Sequence, residues 1–282
     1  MKFARLGEPG EEIPVLVAGD SFFDIRAVVP DLDRHAFGAG VLDRVSELHR
    51  AGELPTIEVS EGTRTGSPIA RPGAVYCIGM NYAAHAAESG SAPPDSPILF
   101  LKAPNTVTGP HDPVNIPRGS VKTDWEVELG VVIGTRALYL DSPDDSAAHI
   151  AGYVTVNDLS ERDFQLVVSG GQWSKGKSAP GFSPVGPWLV TPDEFDPTDV
   201  RLRSWVNGNP RQDSTTADLI FGVDYLVWHL SQYLELEPGD LILTGTPAGV
   251  ALSGRFPYLR EGDVVEIEID GLGRQRQVFA QA

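Results

Sequence analysis

The chain contains a single cysteine, Cys77, so no intrachain disulfide is possible. That usage fits a reducing compartment, and a cytoplasmic protein is expected. Cys77 lies in the apolar run Ala74-Val75-Tyr76-Cys77-Ile78, where a buried strand thiol is expected rather than a nucleophile. No apolar run approaches the roughly 20 residues that a membrane-spanning helix needs. Met1-Lys2-Phe3-Ala4-Arg5 leads into polar, Gly-containing sequence instead of the apolar centre of a signal peptide. No membrane partner is expected. Basic residues are scarce as well, with 22 Lys and Arg against 39 Asp and Glu and a formal charge of −17. Nucleic acid requires a basic face, so no such partner is expected. An anionic substrate stays compatible, because a few lysines beside a bound cation make one pocket locally positive.

What is present points to a turn-rich β architecture. Its 282 residues suffice for one large domain with a small appendage, and 23 prolines and 30 glycines punctuate short strand-like runs. Residues 1–68 read as a small N-terminal α+β unit and residues 69–282 as the main domain. In the first unit, Ile13–Val17 and Phe22–Ile25 read as strands, and Val41–Arg50 reads as a helix with Leu42, Val45, Leu48 and His49 on one face. Glu61–Pro68 reads as a linker. Beyond it, Val131–Ile133, Gly152–Val156 and Asp240–Thr244 have the β-branched character of buried strands. Val265, Ile267 and Ile269 alternate with Glu266 and Glu268, then Asp270-Gly271 predicts a hairpin. Ile220, Val223, Val227, Leu230 and Leu234 predict a helix that stops at Pro238-Gly239.

The chemistry-bearing residues start with Asp124-Trp125-Glu126-Val127-Glu128-Leu129-Gly130. A strand period of two puts Glu126 and Glu128 on one face. Two buried carboxylates need a cation or a proton between them. Mg²⁺ or Mn²⁺ suits such oxygen ligands and keeps positions for a chelating substrate. Spacing alone does not separate this pair from Glu266 and Glu268, which are expected on an exposed strand. The context does, because the first pair runs into the apolar Leu129–Ile133. Asp158, at the end of the strand Tyr153–Val156, adds a third carboxylate. Ser160 and Asp163 suggest a capping box opening a short helix there, and Asp158 is equally compatible with that cap.

Alanines around His85 favour a short helix ending at Gly90, with His85 and Glu88 as i,i+3 neighbours. Such a pair is either a general base with its orienting carboxylate or an incidental surface pair. Lys102 ends the apolar run Ile98–Leu101, and Lys177 follows Gly170-Gly171-Gln172-Trp173-Ser174-Lys175-Gly176. Each suits a substrate carboxylate or an enolate, and each, taken singly, suits the surface. Thr244-Gly245-Thr246-Pro247 is a strand-to-loop turn that offers hydroxyls and backbone N–H groups.

In order, Gly79-Met80-Asn81-Tyr82-Ala83-Ala84-His85, Phe100-Leu101-Lys102, Glu126-Val127-Glu128-Leu129-Gly130, Asn157–Asp163 and Leu243–Pro247 resemble the fumarylacetoacetate hydrolase family over about residues 70–282. Lys122–Glu128 and Gly171–Lys177 resemble its branch of bacterial 2,4-diketo-3-deoxy-sugar-acid (rhamnonate or fuconate) hydrolases. The resemblance implies a mainly β fold with α, an α+β mixed β-sandwich or β-roll, and a homodimer. It implies Mg²⁺ or Mn²⁺ on Glu126, Glu128 and Asp158. It further implies a water-activating dyad of His85 and Glu88 on a lid, with Lys177 stabilising negative charge and Lys102, Gln165 and Thr246 lining the substrate site. The activity implied is cleavage of an acylpyruvate-type dicarbonyl acid, with decarboxylation or keto–enol isomerisation on the same scaffold as the alternative. Where relatives carry an acidic residue, this chain has Ala179-Pro180-Gly181 before Phe182.

Overall fold

The computed structural model describes residues 1–38 and 40–282. Its backbone is Val127–Ile133, a strand buried along its whole length. That burial follows from position. It pairs antiparallel with Ile150–Asn157 on one side and Leu241–Leu243 on the other. Among the described residues the sheet built around it has eleven strands. From Leu241–Leu243 it continues through Val75–Gly79, a parallel neighbour, to Ile98–Lys102 at the edge.

A second sheet of five strands carries Arg201–Val206 and the hairpin Val264–Ile269 with Gly273–Gln281. Its inward residues Leu202, Ile267 and Phe279 share one apolar cluster with Leu129 and Val131 of the central strand. Val132, on the opposite face, packs in another cluster with Phe37 and Val45 of the N-terminal segment. The result is a mainly β, mixed sandwich with short helices, as the sequence predicts. No described helix is long and apolar enough to cross a membrane.

The helix Val41–Arg50 forms over its expected span, and Cys77 is fully buried. Other expectations need correction. Lys2–Leu6, unassigned from sequence, is a strand that pairs with both Ile13–Ala18 and Leu189–Val190. It thereby carries the main sheet into the first 68 residues. The expected linker contains Thr65-Gly66, which pairs with Arg5-Leu6. The late helix is shorter than its apolar pattern and spans Val223–Ser231. It starts late because the Ile220 N–H donates to the Asn81 carbonyl, outside any helix. It ends early because the Leu236 N–H goes to Ala137 in another segment. Glu266 and Glu268 are half-buried and ion-paired with Arg274, not free on an exposed strand.

Candidate active site

Glu126, Glu128 and Asp158 converge beneath a chamber of about 300 Å³. Each offers an oxygen within 4.8 Å of the others, and all three are buried. The sheet dictates this. Glu126 immediately precedes the central strand and Glu128 lies two residues later, so both point to the same face. Asp158 immediately follows the neighbouring strand, and its N–H donates to the Glu126 carbonyl at 2.9 Å.

Both lysines are buried, which removes their surface reading. Lys177 Nζ donates to Glu126 Oε2 and to Asp158 Oδ2, each at 2.7 Å. Lys102 donates to Asp158 Oδ1 and to the carbonyls of Leu159 and Phe182. Arg162, which sequence reasoning left without a role, completes the set. Its Nη2 donates to Glu126 Oε1 at 2.7 Å and its Nε to Asp124 Oδ2 at 2.8 Å. Asp124 in turn accepts the N–H groups of Ala251 and Leu252, so it fixes a loop of the chamber wall. One signal for Asp124 was available, because the period of two that joins Glu126 to Glu128 extends back to it. Charge balance gave a signal for Arg162, since buried acids call for buried cations.

Titration behaviour differs among the acids. Burial alone would raise the Glu126 carboxyl, but Lys177 and Arg162 outweigh it and hold the group far below its ordinary range. Glu128 goes the other way. Burial, then Asp158 and Glu126, push it well up, against Lys177 and the Gly245 N–H. That N–H, at 2.7 Å from Oε2, comes from the turn singled out in the sequence. Four carboxylates (Asp124, Glu126, Glu128, Asp158) thus face three cations (Lys102, Arg162, Lys177), and Glu128 is the under-compensated member. A hard divalent cation fits this donor set, since it supplies the missing positive charge to three converging oxygens.

The helix Ala83–Glu88 contributes His85 and Glu88 to the chamber lining. His85 Nδ1 lies 3.8 Å from Glu88 Oε2, and that nitrogen has no hydrogen-bond partner. Glu88 also accepts the Gly249 N–H at 2.9 Å and meets Arg255 at 3.4 Å. Burial raises its carboxyl, yet His85, Gly249 and Arg255 together hold it below its usual range. The two side chains are only 7% and 8% exposed, so the reading of an incidental surface pair falls away.

Residues 74–280 match the model for the C-terminal region of fumarylacetoacetate (FAA) hydrolase. The chain belongs to this family. The 2,4-didehydro-3-deoxy-L-rhamnonate hydrolase of Sphingomonas sp. (strain SKA58) is 44% identical over 287 residues, covering all of this chain and 96% of that protein. Two solved structures cover the chain completely. The 5-carboxymethyl-2-hydroxymuconate delta-isomerase of Mycobacterium smegmatis has 32% identity, a TM-score of 0.79 and 99% coverage of its own chain. The maleylpyruvate hydrolase of Sphingobium sp. SYK-6, in complex with manganese(II) and pyruvate, has 26% identity, a TM-score of 0.82 and 100% coverage.

The chain is thus an enzyme of the FAA hydrolase family, and the other residues expected at its site can be located. Gln165 and Thr246 line the chamber. Gln165 Oε1 accepts from Arg162, and Thr246 donates to the Val127 carbonyl at 2.9 Å while accepting from Gln212. Ser160 forms no capping box. It sits in a short strand with Glu161 and donates to the Asp158 carbonyl, while Glu161 accepts the Phe164 N–H. Asp163 pairs instead with Lys122. Among the described residues, none of Ala179-Pro180-Gly181 lines the chamber. Their segment contributes through the Phe182 carbonyl, 2.7 Å from Lys102 Nζ.

Proposed function

We propose that the enzyme hydrolyses a C–C bond of an acylpyruvate-type 2,4-dioxo acid, with a bound Mg²⁺ or Mn²⁺, and releases pyruvate and a second carboxylic acid. The observation that carries this reading is one chamber lined by Glu126 and Glu128 of the converging carboxylate triad and by His85 and Glu88. Glu126, Glu128 and Asp158 would hold the metal, which when bound supplies a Lewis acid for the carboxylate and 2-oxo group of the substrate. His85, kept near Glu88, takes a proton from water. The resulting hydroxide adds to the distal carbonyl carbon. The bond from that carbon to the neighbouring CH₂ breaks, and its electron pair passes to the pyruvate-forming fragment. Protonation of that fragment gives pyruvate, while the distal carbonyl leaves as a carboxylic acid. Lys177, beside the same acids, balances the negative charge that develops. Gln165 and Thr246 line the substrate site, whereas Lys102, expected there from the sequence, lies behind the lining and holds Asp158.

The family resemblance and the single buried thiol support a homodimer in the cytoplasm. Residues 1–68 read as a supporting unit, since none of the described ones lines the chamber. A screen of acylpyruvates and diketo sugar acids with Mg²⁺ or Mn²⁺, read by pyruvate formation, tests the activity. Turnover of oxaloacetate alone, or a shifted double bond without cleavage, would replace it with decarboxylation or isomerisation. The isomerase among the solved relatives favours that second reading. It needs no attacking water, so an essential His85 discriminates against it.

A further inference from the structure

Part of the chamber lining is apolar, built from Phe100, Leu166, Trp173 and Leu252, with Lys177 Nζ 5.1 Å from the centroid of the Phe100 ring. Phe100 and Trp173 meet edge to face, with ring centroids 5.4 Å apart. Trp173 is seated on Gly79, where a Cβ would lie only 2.4 Å from the indole ring. The aromatic surface is therefore fixed by close packing. The cations tell the complementary story. Among the described residues, those lining the chamber besides His85 are Arg162 and Lys177. Arg162 is bonded to Asp124, Glu126 and Gln165, and Lys177 to Glu126 and Asp158. Neither is free to meet a charge at the distal end of a substrate. Ser89 and Ser91, also on the lining, offer hydroxyls and no charge.

From this division we infer that the enzyme takes monoanionic 2,4-dioxo acids whose acyl tail is uncharged and lies against Trp173 and Phe100. The inference rests on the acylpyruvate reading and names which acylpyruvates. A second carboxylate in the tail would lose its water against an apolar wall and gain no cation in return. An alkyl tail gains from burial there, and a hydroxylated one has the two serines to bond.

Butyrylpyruvate and succinylpyruvate form the test pair, since they have the same chain length and differ only in a terminal methyl or carboxylate. With the Mn²⁺-loaded enzyme, kcat/KM for butyrylpyruvate is expected to exceed that for succinylpyruvate at least tenfold. Equal rates, or preference for succinylpyruvate, would overturn the tail assignment and leave the acylpyruvate reading standing. Cleavage of neither, while oxaloacetate is turned over, would overturn both. Leu166→Arg supplies the missing cation at a half-exposed wall position where the guanidinium reaches solvent. Its selectivity should shift toward succinylpyruvate by tenfold or more, with a melting temperature close to that of the parent. An unmoved ratio in a folded Leu166→Arg enzyme would count against the charge argument.

Discussion

Replacing Glu128 with glutamine separates what the site costs in stability from what it gives in binding. Glu128 is buried, its carboxyl is pushed up by burial and by Asp158 and Glu126, and its one hydrogen bond from the chain is the Gly245 N–H. In the metal-free protein an ionised Glu128 opposes folding. The glutamine amide keeps an oxygen for Gly245 and turns its NH₂ toward the carboxylates, so repulsion becomes a donated hydrogen bond. Removing one under-compensated buried charge stabilises by about 1–3 kcal/mol. For a chain of this size that is a rise of roughly 2–6 °C in melting temperature. The balance reverses with metal. At about one hundred times its Kd, Mn²⁺ adds about 2.7 kcal/mol to the wild type, or roughly 5 °C. Glu128→Gln, with one carboxylate ligand fewer, should gain little. Differential scanning calorimetry with EDTA and then with Mn²⁺ reads both effects in one series. A metal-free Glu128→Gln that melts below the wild type, and still shifts fully with Mn²⁺, would refute the charge count and the ligand assignment together.

Other expectations are simpler. His85→Ala should lower kcat on a cleaved acylpyruvate by about 10²–10⁴-fold while leaving Mn²⁺ affinity nearly unchanged by titration calorimetry; full activity would end the dyad proposal. Gly130→Ala should cost about 1–3 kcal/mol in denaturant unfolding, because its Cβ would lie 2.7 Å from the methyls of both Val154 and Val156. Asp112 gives a pH-dependent case. Burial raises its carboxyl, but Arg64, Thr108 and the Gly109 N–H outweigh it, so the folded pKa lies below the unfolded one. Its stabilisation is present above the ordinary carboxylate pKa near 4 and is lost as pH falls through the folded value. Asp112→Asn should therefore be less stable than wild type by about 1–3 kcal/mol at pH 7. The gap should narrow as unfolding is measured toward pH 3, and a constant gap would exclude the Arg64 pair as its source.

The parts of the site that repeat along the chain were legible, and the parts that depend on tertiary pairing were not. Period-two alternation placed Glu126 and Glu128 on one face, and helical spacing brought His85 beside Glu88. The same spacing rules gave Glu266 and Glu268 an identical pattern, and the apolar run Leu129–Ile133 that follows the first pair is what separated the two. Lys102 and Lys177, taken singly, suited the surface as well as a substrate anion, and the family resemblance placed them at the site, because their partners lie 19 to 56 residues away. Arg162 was hidden for the same reason, since its carboxylates sit in the 124–126 segment. Lys2–Leu6 escaped notice because its partners include residues near position 190, and no local window contains them. The helix Val223–Ser231 was overextended because periodicity is blind to Asn81, which takes up the backbone of Ile220 and Phe221.

The pairing of Lys2 and Phe3 with Val190 and Leu189 also imposes an order on synthesis. Thr65-Gly66 covers the Arg5-Leu6 end of the strand early, but the segment that covers Lys2 and Phe3 is made only when residues 189–190 are reached. Until then that end of the strand presents an open hydrogen-bonding edge, the kind of surface that neighbouring nascent chains can capture. Closing the sheet requires a contact between distant parts of the sequence, which slows folding relative to locally paired proteins. Yield in a cell should therefore depend on chaperone supply and on translation rate between residues 68 and 190, as much as on the stability of the finished sandwich.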